Sequence, residues 1–549
     1  MIDNLVTLSK ISSFIPDIKF FDKTKKIKKN SKKFKINLWR NTSFEFLYKY
    51  IDHYSSLYSL NLKFNVSDYD DTISFNKYTK SNLEILWIDI TRYKSLGDNW
   101  LNWIDERINT LNFLSNSPIL FIPISDNYNN IKKCKRYFKN KENVYFCDIF
   151  SLFNHSKLKL IDKRLEKVSG SILSFKSQII IARKIVCHWI PSLILPPIKA
   201  IAIDMDNTLY RGVLGEDQIN GITINSSYKK LHRYLIKIKK LGIILNLVSK
   251  NNYKDAELLF KKNKNFEIKF DDFFLKKISW SEKSNSIIEI AKKINIYPDS
   301  ILFVDDNIAE NLKVNSKIIN SKTILATNNP IITMKQIQFY PGVWQWERTN
   351  EDQKRLNDIK AQQKRNVLFN KKNKSNYLQE LNTKIKIYIN NINHIDRVSQ
   401  LSLKTNQFVT TFKRYNSNQI SKLINKKNIN IVTTELSDKL SESGIISIVV
   451  GKLVKNIIYV EEMCISCRAL GRDLENNIIL NSIKSMNFFN QSKKILFKFK
   501  LSNRNQPAEN WLKKNILIKK YSNRLSYEIS NNNLIKKINN KNIKVENFS

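Results

Sequence analysis

Ala200-Ile201-Ala202-Ile203-Asp204-Met205-Asp206-Asn207-Thr208-Leu209 is a short apolar run that ends abruptly in two carboxylates. An uninterrupted apolar run of this length predicts a strand buried on both faces, as in a parallel sheet covered by helices. The pattern recurs twice downstream. Gly242 to Val248 ends in Ser249-Lys250-Asn251-Asn252, and Ser300 to Val304 ends in Asp305-Asp306-Asn307, with Lys283 between them and Glu310 beyond. Open α/β sheets take their ligands outside the carboxyl ends of the strands. The three runs therefore predict an α/β core with one polar site along one edge.

The residue types at that edge suit phosphoryl chemistry. Asp204 and Asp206 are two apart, and alternate residues of an extended chain point the same way, so both are expected to face one cavity. Carboxylates gathered there repel unless a cation lies between them, and Mg²⁺ prefers oxygen ligands. Asp305 and Asp306 add oxygens from a neighbouring strand end, which makes Asp204, Asp206, Asp305 and Asp306 the expected metal set. Ser249 can donate to a phosphate oxygen, and Lys283 can neutralise charge gathering on a transferred phosphoryl group. Asp204 is then the expected nucleophile, with Asp206 as general acid toward the leaving group and later as base for water. Asp and Asn also end strands in domains without any site. The ordered set of four favours a site, as do Gly212, Gly215, Gly221 and Gly242, which gather four of the ten glycines around it.

Composition narrows the classes. At 549 residues, 42% hydrophobic and 11% aromatic, the chain is expected to form roughly three or four domains with true cores. No apolar run approaches the ~20 residues of a membrane span. The start, Met1-Ile2-Asp3-Asn4, lacks a basic region followed by an apolar block, so no secretory signal is expected. Cys134, Cys147, Cys187, Cys464 and Cys467 are few and irregularly spaced, as in reduced thiols of a cytoplasmic protein. The net charge of +44 would suit nucleic acid, but the lysines are scattered along an Asn- and Ile-rich chain instead of forming one stripe. That distribution argues against nucleic acid as the main partner.

Taken in order, residues 1–34 read as a basic leader and 35–155 as an α/β domain. Its strands are expected at Lys35–Trp39, Leu62–Val66, Leu83–Ile88, Ile119–Ile122 and Val144–Cys147, with helices over Phe44–Tyr58, Trp100–Leu114 and Tyr128–Phe138. Thr42 and Ser43 follow the first strand, where a serine hydrolase would carry its nucleophile. No glycine is nearby, so Asn41-Thr42-Ser43 is better read as a helix cap. Asp68, Asp70 and Asp71 read as a turn. Residues 156–198 form a helical connector closed by Pro191, Pro196 and Pro197, 199–345 the central domain, 346–384 a helical linker opened by Thr349 and Asp352, and 385–549 a further α/β domain. In that last domain strands are expected at Ile445–Val450 and Ile457–Glu461, and a helix over Asp473–Lys484.

Asp204-x-Asp206-Asn207-Thr208-Leu209, Ser249, Lys283 and Asp305-Asp306 resemble the four motifs of the haloacid dehalogenase (HAD) superfamily phosphatases. More narrowly, residues 206–217, Ser249-Lys250-Asn251-Asn252 and Val304-Asp305-Asp306-Asn307 resemble its FkbH-like, IIIC-type subgroup. Residues 397–408 and Ser466-Cys467-Arg468-Ala469-Leu470-Gly471-Arg472 are similar to that group's C-terminal signature. The resemblance implies a Rossmann-like HAD core between an N-terminal SGNH-like α/β domain and a C-terminal GNAT-like α/β domain. It implies a Mg²⁺-dependent enzyme that dephosphorylates 1,3-bisphosphoglycerate and loads a glyceryl unit onto the phosphopantetheine arm of an acyl carrier protein, in polyketide-type biosynthesis. The interval between the first Asp pair and Ser249 is too short for a large cap, which suits a macromolecular partner.

Arg468-x-x-Gly471, with Arg472, resembles a degenerate GNAT pyrophosphate loop, where backbone N–H groups at a helix start meet an anion. These residues are the expected cradle for pantetheine or CoA. Cys464 and Cys467 lack further zinc ligands. Cys467, beside Arg468 and Arg472, is a candidate acyl carrier, since cations favour thiolate. Met205 stands where some relatives carry Cys between the two aspartates, which rules out a thioester at that position. Two other functions compete: a HAD phosphatase of a sugar or other small phosphate without acyl transfer, and a non-catalytic docking module for carrier proteins.

Overall fold

Alternating buried strands and amphipathic helices build two all-parallel sheets in the first part of the chain and one mixed sheet in the last. The computed structural model describes residues 5–7, 32–70, 75–76, 78–153, 158–346, 354, 357–362, 364–365, 379–502, 504–521, 524–540 and 543–548. They fall into two units, one within Met1–Ile290 and Tyr297–Glu347 and another within Ala291–Ile296 and Arg348–Ser549. Most of the expected leader, Asp71, the Thr349/Asp352 helix start and much of the expected linker lie outside the described residues.

The first sheet has strands β1 (Lys33–Arg40), β2 (Asn61–Tyr69), β3 (Leu83–Asp89), β4 (Ile119–Ile124) and β5 (Val144–Phe146) in the order β2-β1-β3-β4-β5, every pair parallel. Helices α1 (Glu45–Leu57), α2 (Trp100–Leu114) and α3 (Tyr128–Phe138) connect them, the last two with the bounds the periodicity predicts. The cap expected from Thr42 and Ser43 does not form. Phe44 is the N-cap of α1 and makes no side-chain cap bond. Thr42 Oγ1 instead donates to Gly170 O at 2.9 Å, and Ser43 Oγ donates to Glu45 Oε2 at 2.7 Å. In this sheet the crevice where the strand order reverses, between β1 and β3, is sealed. The Asn41 amide bonds both the N–H and the C=O of Asp89, at 2.7 and 3.0 Å, so these polar groups are consumed in closing the strand ends.

The expected helical connector is continuous only from Phe175, as α4 (Phe175–Lys184), a π-turn (Ile185–Trp189) and a last segment, Ile190–Ile194; before it stand short turns and the Ile161–Leu173 bridge. The π-turn turns His188 inward. Its ring stacks on Phe339 and Trp344, Nε2 donates to Gln338 O at 2.9 Å, and Nδ1 accepts from Lys184 Nζ at 2.6 Å. The chain after the second sheet is thus pinned to the connector, and the boundary expected near residue 198 lies inside one unit.

The second sheet contains β6 (Ala200–Ile203), β7 (Ile244–Ser249), β8 (Leu275–Ile278), β9 (Ile301–Asp305) and β10 (Lys322–Leu325) in the order β10-β9-β6-β7-β8, again all parallel. β6 is central and all four of its residues are buried, as a strand covered on both faces requires. The chain runs from β6 out to β7 and β8, then returns to β9 and β10 on the other side. The order therefore reverses between β6 and β9, and their carboxyl ends flank the crevice where an open sheet binds its ligand.

The last unit holds β11 (Lys384–Ile389), β12 (Phe408–Val409), β13 (Ile429–Asp438), β14 (Ser441–Val454), β15 (Ile457–Ile465), β16 (Lys494–Lys498), β17 (Leu517–Tyr521), β18 (Arg524–Ser530) and β19 (Lys544–Phe548). Their order is β17-β18-β16-β15-β14-β13-β11-β19, with β12 on β15. The strand expected at Ile445–Val450 extends to fourteen residues in β14, because β13 pairs its polar start from Ser441 and β15 its end to Val454. Among the described residues no helix is long and apolar enough to cross a membrane.

Candidate active site

At the end of β6 the Asp204 N–H donates to Val304 O at 2.9 Å, and a turn follows in which the Thr208 and Leu209 N–H groups return to Met205 O. Asn207 sits at φ +51°, a left-handed conformation that Asn tolerates. This turn fixes Asp204 and Asp206 on opposite business. The Asp204 carboxyl is buried, with Oδ1 3.1 Å from Lys283 Nζ but accepting no directed hydrogen bond. Lys283, at the start of the helix Lys283–Lys293, donates to Asp305 Oδ2 at 2.6 Å. The other Asp305 oxygen accepts the Asn307 N–H at 2.8 Å.

Asp204, Asp305 and Asp306 each present an oxygen, all within 4.8 Å of one another. Burial raises the Asp204 carboxyl's pKa, opposed by Lys283 and the Ser249 hydroxyl. Burial and then the Asp204 charge raise Asp305 as well. The same two causes push Asp306 up to about 6. The Lys283 ammonium is held above its ordinary range, its burial outweighed by Asp204 and Asp305. Three carboxylates against one ammonium leave the cluster short of positive charge. Asp204 Oδ1, an acceptor without a directed donor, adds an unfilled position. An oxygen donor set of this kind fits a small divalent cation such as Mg²⁺.

Asp206 does not join the cluster. Its Oδ1 accepts the Tyr210 hydroxyl at 2.5 Å and the Leu214 N–H at 3.0 Å, and its Oδ2 accepts Asn251 Nδ2 at 2.9 Å. The expected four-carboxylate set therefore becomes three, because these donors turn the Asp206 side chain aside. Ser249, at the end of β7, is buried and accepts the other Asn251 N–H at 3.0 Å. Lys250 reaches Glu310 Oε1 at 2.9 Å. Burial works against the Glu310 carboxylate, but the Lys250 charge outweighs it and holds the pKa below the usual range. Tyr210, Asn251 and the Lys250–Glu310 pair were not singled out as functional from sequence. Asn251 lies inside a recognisable motif, whereas nothing local signals the other contacts.

The mouth is lightly covered. Between β6 and β7 stand only a small hairpin, pinned by the Arg211–Thr223 bridge, the short helix Leu214–Gly221 and the core helix Ser226–Lys240. Trp280, in the loop after β8, is 75% exposed, and the adjacent Ser279 N–H donates to Ser249 O at 3.1 Å. Tyr253, just past the Ser249 loop, is also exposed.

The expected cradle in the last unit is organised differently. Arg468 and Arg472 are buried, not presented to a ligand. Arg472 donates to Asp358 Oδ1 at 3.3 Å, Ser443 Oγ at 3.0 Å and Asp438 Oδ2 at 3.5 Å, while Arg468 lies 3.7 Å from Asp358 Oδ2. Arg365 joins through a bidentate pair with Asp438, both bonds at 2.9 Å. Buried guanidinium groups require such partners, and these partners come from distant sequence. The Gly471 N–H is committed to Glu475 Oε1 at 3.2 Å, and the helix starts at Glu475, later than expected. β15 pairs with β16 only over Ile457–Val460, and beyond that β12 takes the Cys464–Ile465 edge. The buried Glu462 carboxylate accepts backbone N–H bonds from Thr410, Thr411 and Lys413 that lock the segment there. The strand edge that an extended arm would pair with is filled by the chain itself. Cys467 is half-buried, and both neighbouring arginines are engaged by carboxylates.

No family model matches the chain, and no curated protein matches it. Among solved structures it is similar to the N-terminal part of a Bacteroides fragilis protein containing a phosphatase domain, complexed with Mg. The identity is 18% and the TM-score 0.47, over 62% of this chain and 99% of that one. A spermidine N-acetyltransferase mutant from Vibrio cholerae is similar over 28% of this chain and 97% of its own, at 10% identity and TM-score 0.21. An uncharacterized protein from Bacillus halodurans is similar over 27% and 84%, at 10% identity and TM-score 0.20. Likenesses this distant carry no argument about function, which rests on the carboxylate site.

Proposed function

We propose that the chain is a HAD-type, Mg²⁺-dependent phosphatase whose nucleophile is Asp204. The observation that carries this is the buried group of Asp204, Asp305, Asp306 and Lys283 at the point where the strand order of the second sheet reverses. Asp204, Asp305 and Asp306 would hold the cation, which when bound supplies charge neutralisation to the transferring phosphoryl group. An Asp204 oxygen attacks phosphorus, the bond from phosphorus to the ester oxygen breaks, and an aspartyl phosphate forms. Asp206 stands outside the metal set, so its carboxyl is free of the cation; in its protonated form it would pass a proton to the departing oxygen, and as the carboxylate so produced it would take one from the attacking water. Ser249 donates to a phosphate oxygen, and Lys283 balances the gathering charge. Conversion of Asp204 to Asn should abolish Mg²⁺-dependent phosphate release, and undiminished release from that variant would refute the assignment.

For the substrate, the FkbH-like motifs and the lightly covered mouth support 1,3-bisphosphoglycerate with an acyl carrier protein as acceptor. That compound carries two different phosphates. The ester phosphate is the one for Asp204, while the acyl phosphate activates the carboxyl carbon. The pantetheine thiol attacks that carbon, the C–O bond breaks and inorganic phosphate leaves. Incubation of protein, Mg²⁺, 1,3-bisphosphoglycerate and carrier protein should add a glyceryl unit to the arm in intact-mass measurements. Phosphate release without an adduct on any carrier would support the second reading, a phosphatase of a small phosphate. The filled β15 edge and buried Arg468 and Arg472 favour that second reading, because they leave the last unit without an open cradle.

A further inference from the structure

We propose that Asn251 is a positioning residue that sets Asp206 relative to the phosphate-binding Ser249. This rests on the phosphatase reading and adds a residue to it. Asn251 lies in the loop after β7, is 4% exposed, and spends one amide hydrogen on the loop after β6 and the other on the last residue of its own strand. One goes to Asp206 Oδ2 at 2.9 Å and the other to Ser249 Oγ at 3.0 Å. The nitrogen of the amide, and not its oxygen, faces Asp206, so that Oδ2 is the acceptor. Ser249 is the anchor of the pair. Its oxygen receives the second hydrogen, so the amide cannot turn without losing both bonds, and the Ser249 hydroxyl is left to donate on the side of the Asp204 carboxyl. The next residue, Asn252, caps the helix Tyr253–Lys262 through its own side chain at 2.9 Å to the Lys254 N–H, which stiffens the loop on its far side.

Asp206 is thereby held on both oxygens. Tyr210 and the Leu214 N–H fix Oδ1, but among the described residues Asn251 is the only side chain or backbone donor recorded on Oδ2. Removing that bond lets the carboxylate turn about its Oδ1 contacts while Asp204, Lys283 and the three-carboxylate group are untouched. A proton-transfer group displaced by a fraction of an ångström loses rate far more than affinity.

A double-mutant cycle separates this role from a structural one. With p-nitrophenyl phosphate and Mg²⁺, Asn251→Ala should lower kcat by ~10-fold or more, a part of the factor that general acid–base groups supply. Asn251 also touches Ser249, so the inhibition constant of inorganic phosphate should rise, but by a smaller factor than kcat falls, because Ser249 keeps its own hydroxyl for the phosphate. In an Asp206→Asn background the same change should then alter kcat by less than about twofold, because residues acting through one another are non-additive. Asn251→Ser, which keeps a hydroxyl donor, serves as a second variant in the same cycle, and thermal unfolding checks that each variant is folded. Losses that multiply in the Asp206→Asn background, or a phosphate constant that rises in step with the loss of kcat, would overturn the positioning role while leaving the phosphatase reading intact. A wild-type protein that turns over no phosphate compound would instead overturn the phosphatase reading, and this inference with it.

Discussion

Lys283 holds two buried carboxylates together, 2.6 Å from Asp305 and 3.1 Å from Asp204. Its replacement by Met keeps the packing and deletes the charge. Breaking a buried pair from one side costs about 3–5 kcal/mol, so the metal-free variant should unfold at clearly lower temperature than the wild type. Divalent cation should narrow that gap, since it neutralises the same oxygens and stabilises by mass action, whereas turnover should stay lost. Thermal unfolding with and without Mg²⁺ reads this directly, and a gap that does not narrow would argue against a cation among Asp204, Asp305 and Asp306. Asp204, Ser249, Lys283, Asp305 and Asp306 were legible in the sequence because each stands within a residue or two of a strand end or helix start, a short-range signal. The turning aside of Asp206 was not, because it depends on a tyrosine four residues on and an amide in another loop. The Arg472–Asp358 pairing was less legible still, joining residues more than a hundred positions apart.

At the scale of elements, apolar periodicity placed the strands and the helices Trp100–Leu114 and Tyr128–Phe138, because burial on one or two faces imposes a period. It missed the Thr42 and Ser43 contacts and the β12 insertion, where tertiary partners outbid local preference. It also missed the π-turn, which has no period of its own. That turn yields a pH prediction. Burial, reinforced by the Lys184 charge, pushes the His188 pKa down from 6.5 to about 3. The unfolded chain therefore takes up a proton below pH ~6.5 that the folded chain refuses, and stability falls as pH drops from there toward 3. At pH 5 the cost is about 2 kcal/mol relative to pH 8. The unfolding free energy of a His188→Asn variant, measured against wild type at several pH values, should lack that component. Parallel pH profiles would contradict a neutral, buried His188.

For the whole molecule, the second sheet, its site and the connector that pins it share one unit, while the mixed sheet with its own core belongs to the other. A chain ending at residue 347 should therefore fold and retain Mg²⁺-dependent phosphatase turnover close to that of the full chain, and an inactive but folded truncation would show that the last unit is needed for catalysis. The net charge of +44 bears on association and not on this chemistry. Anionic partners should be captured faster at low salt, with the dependence fading as screening sets in. The central claim is the covalent step at Asp204. Acid quench of the full-length protein during steady turnover of p-nitrophenyl phosphate with Mg²⁺, followed by peptide mass spectrometry, should find one phosphoryl group on the peptide containing Asp204, labile to hydroxylamine and absent from Asp204→Asn. Sustained turnover with no phosphoryl-enzyme, or with the label on another residue, would contradict it.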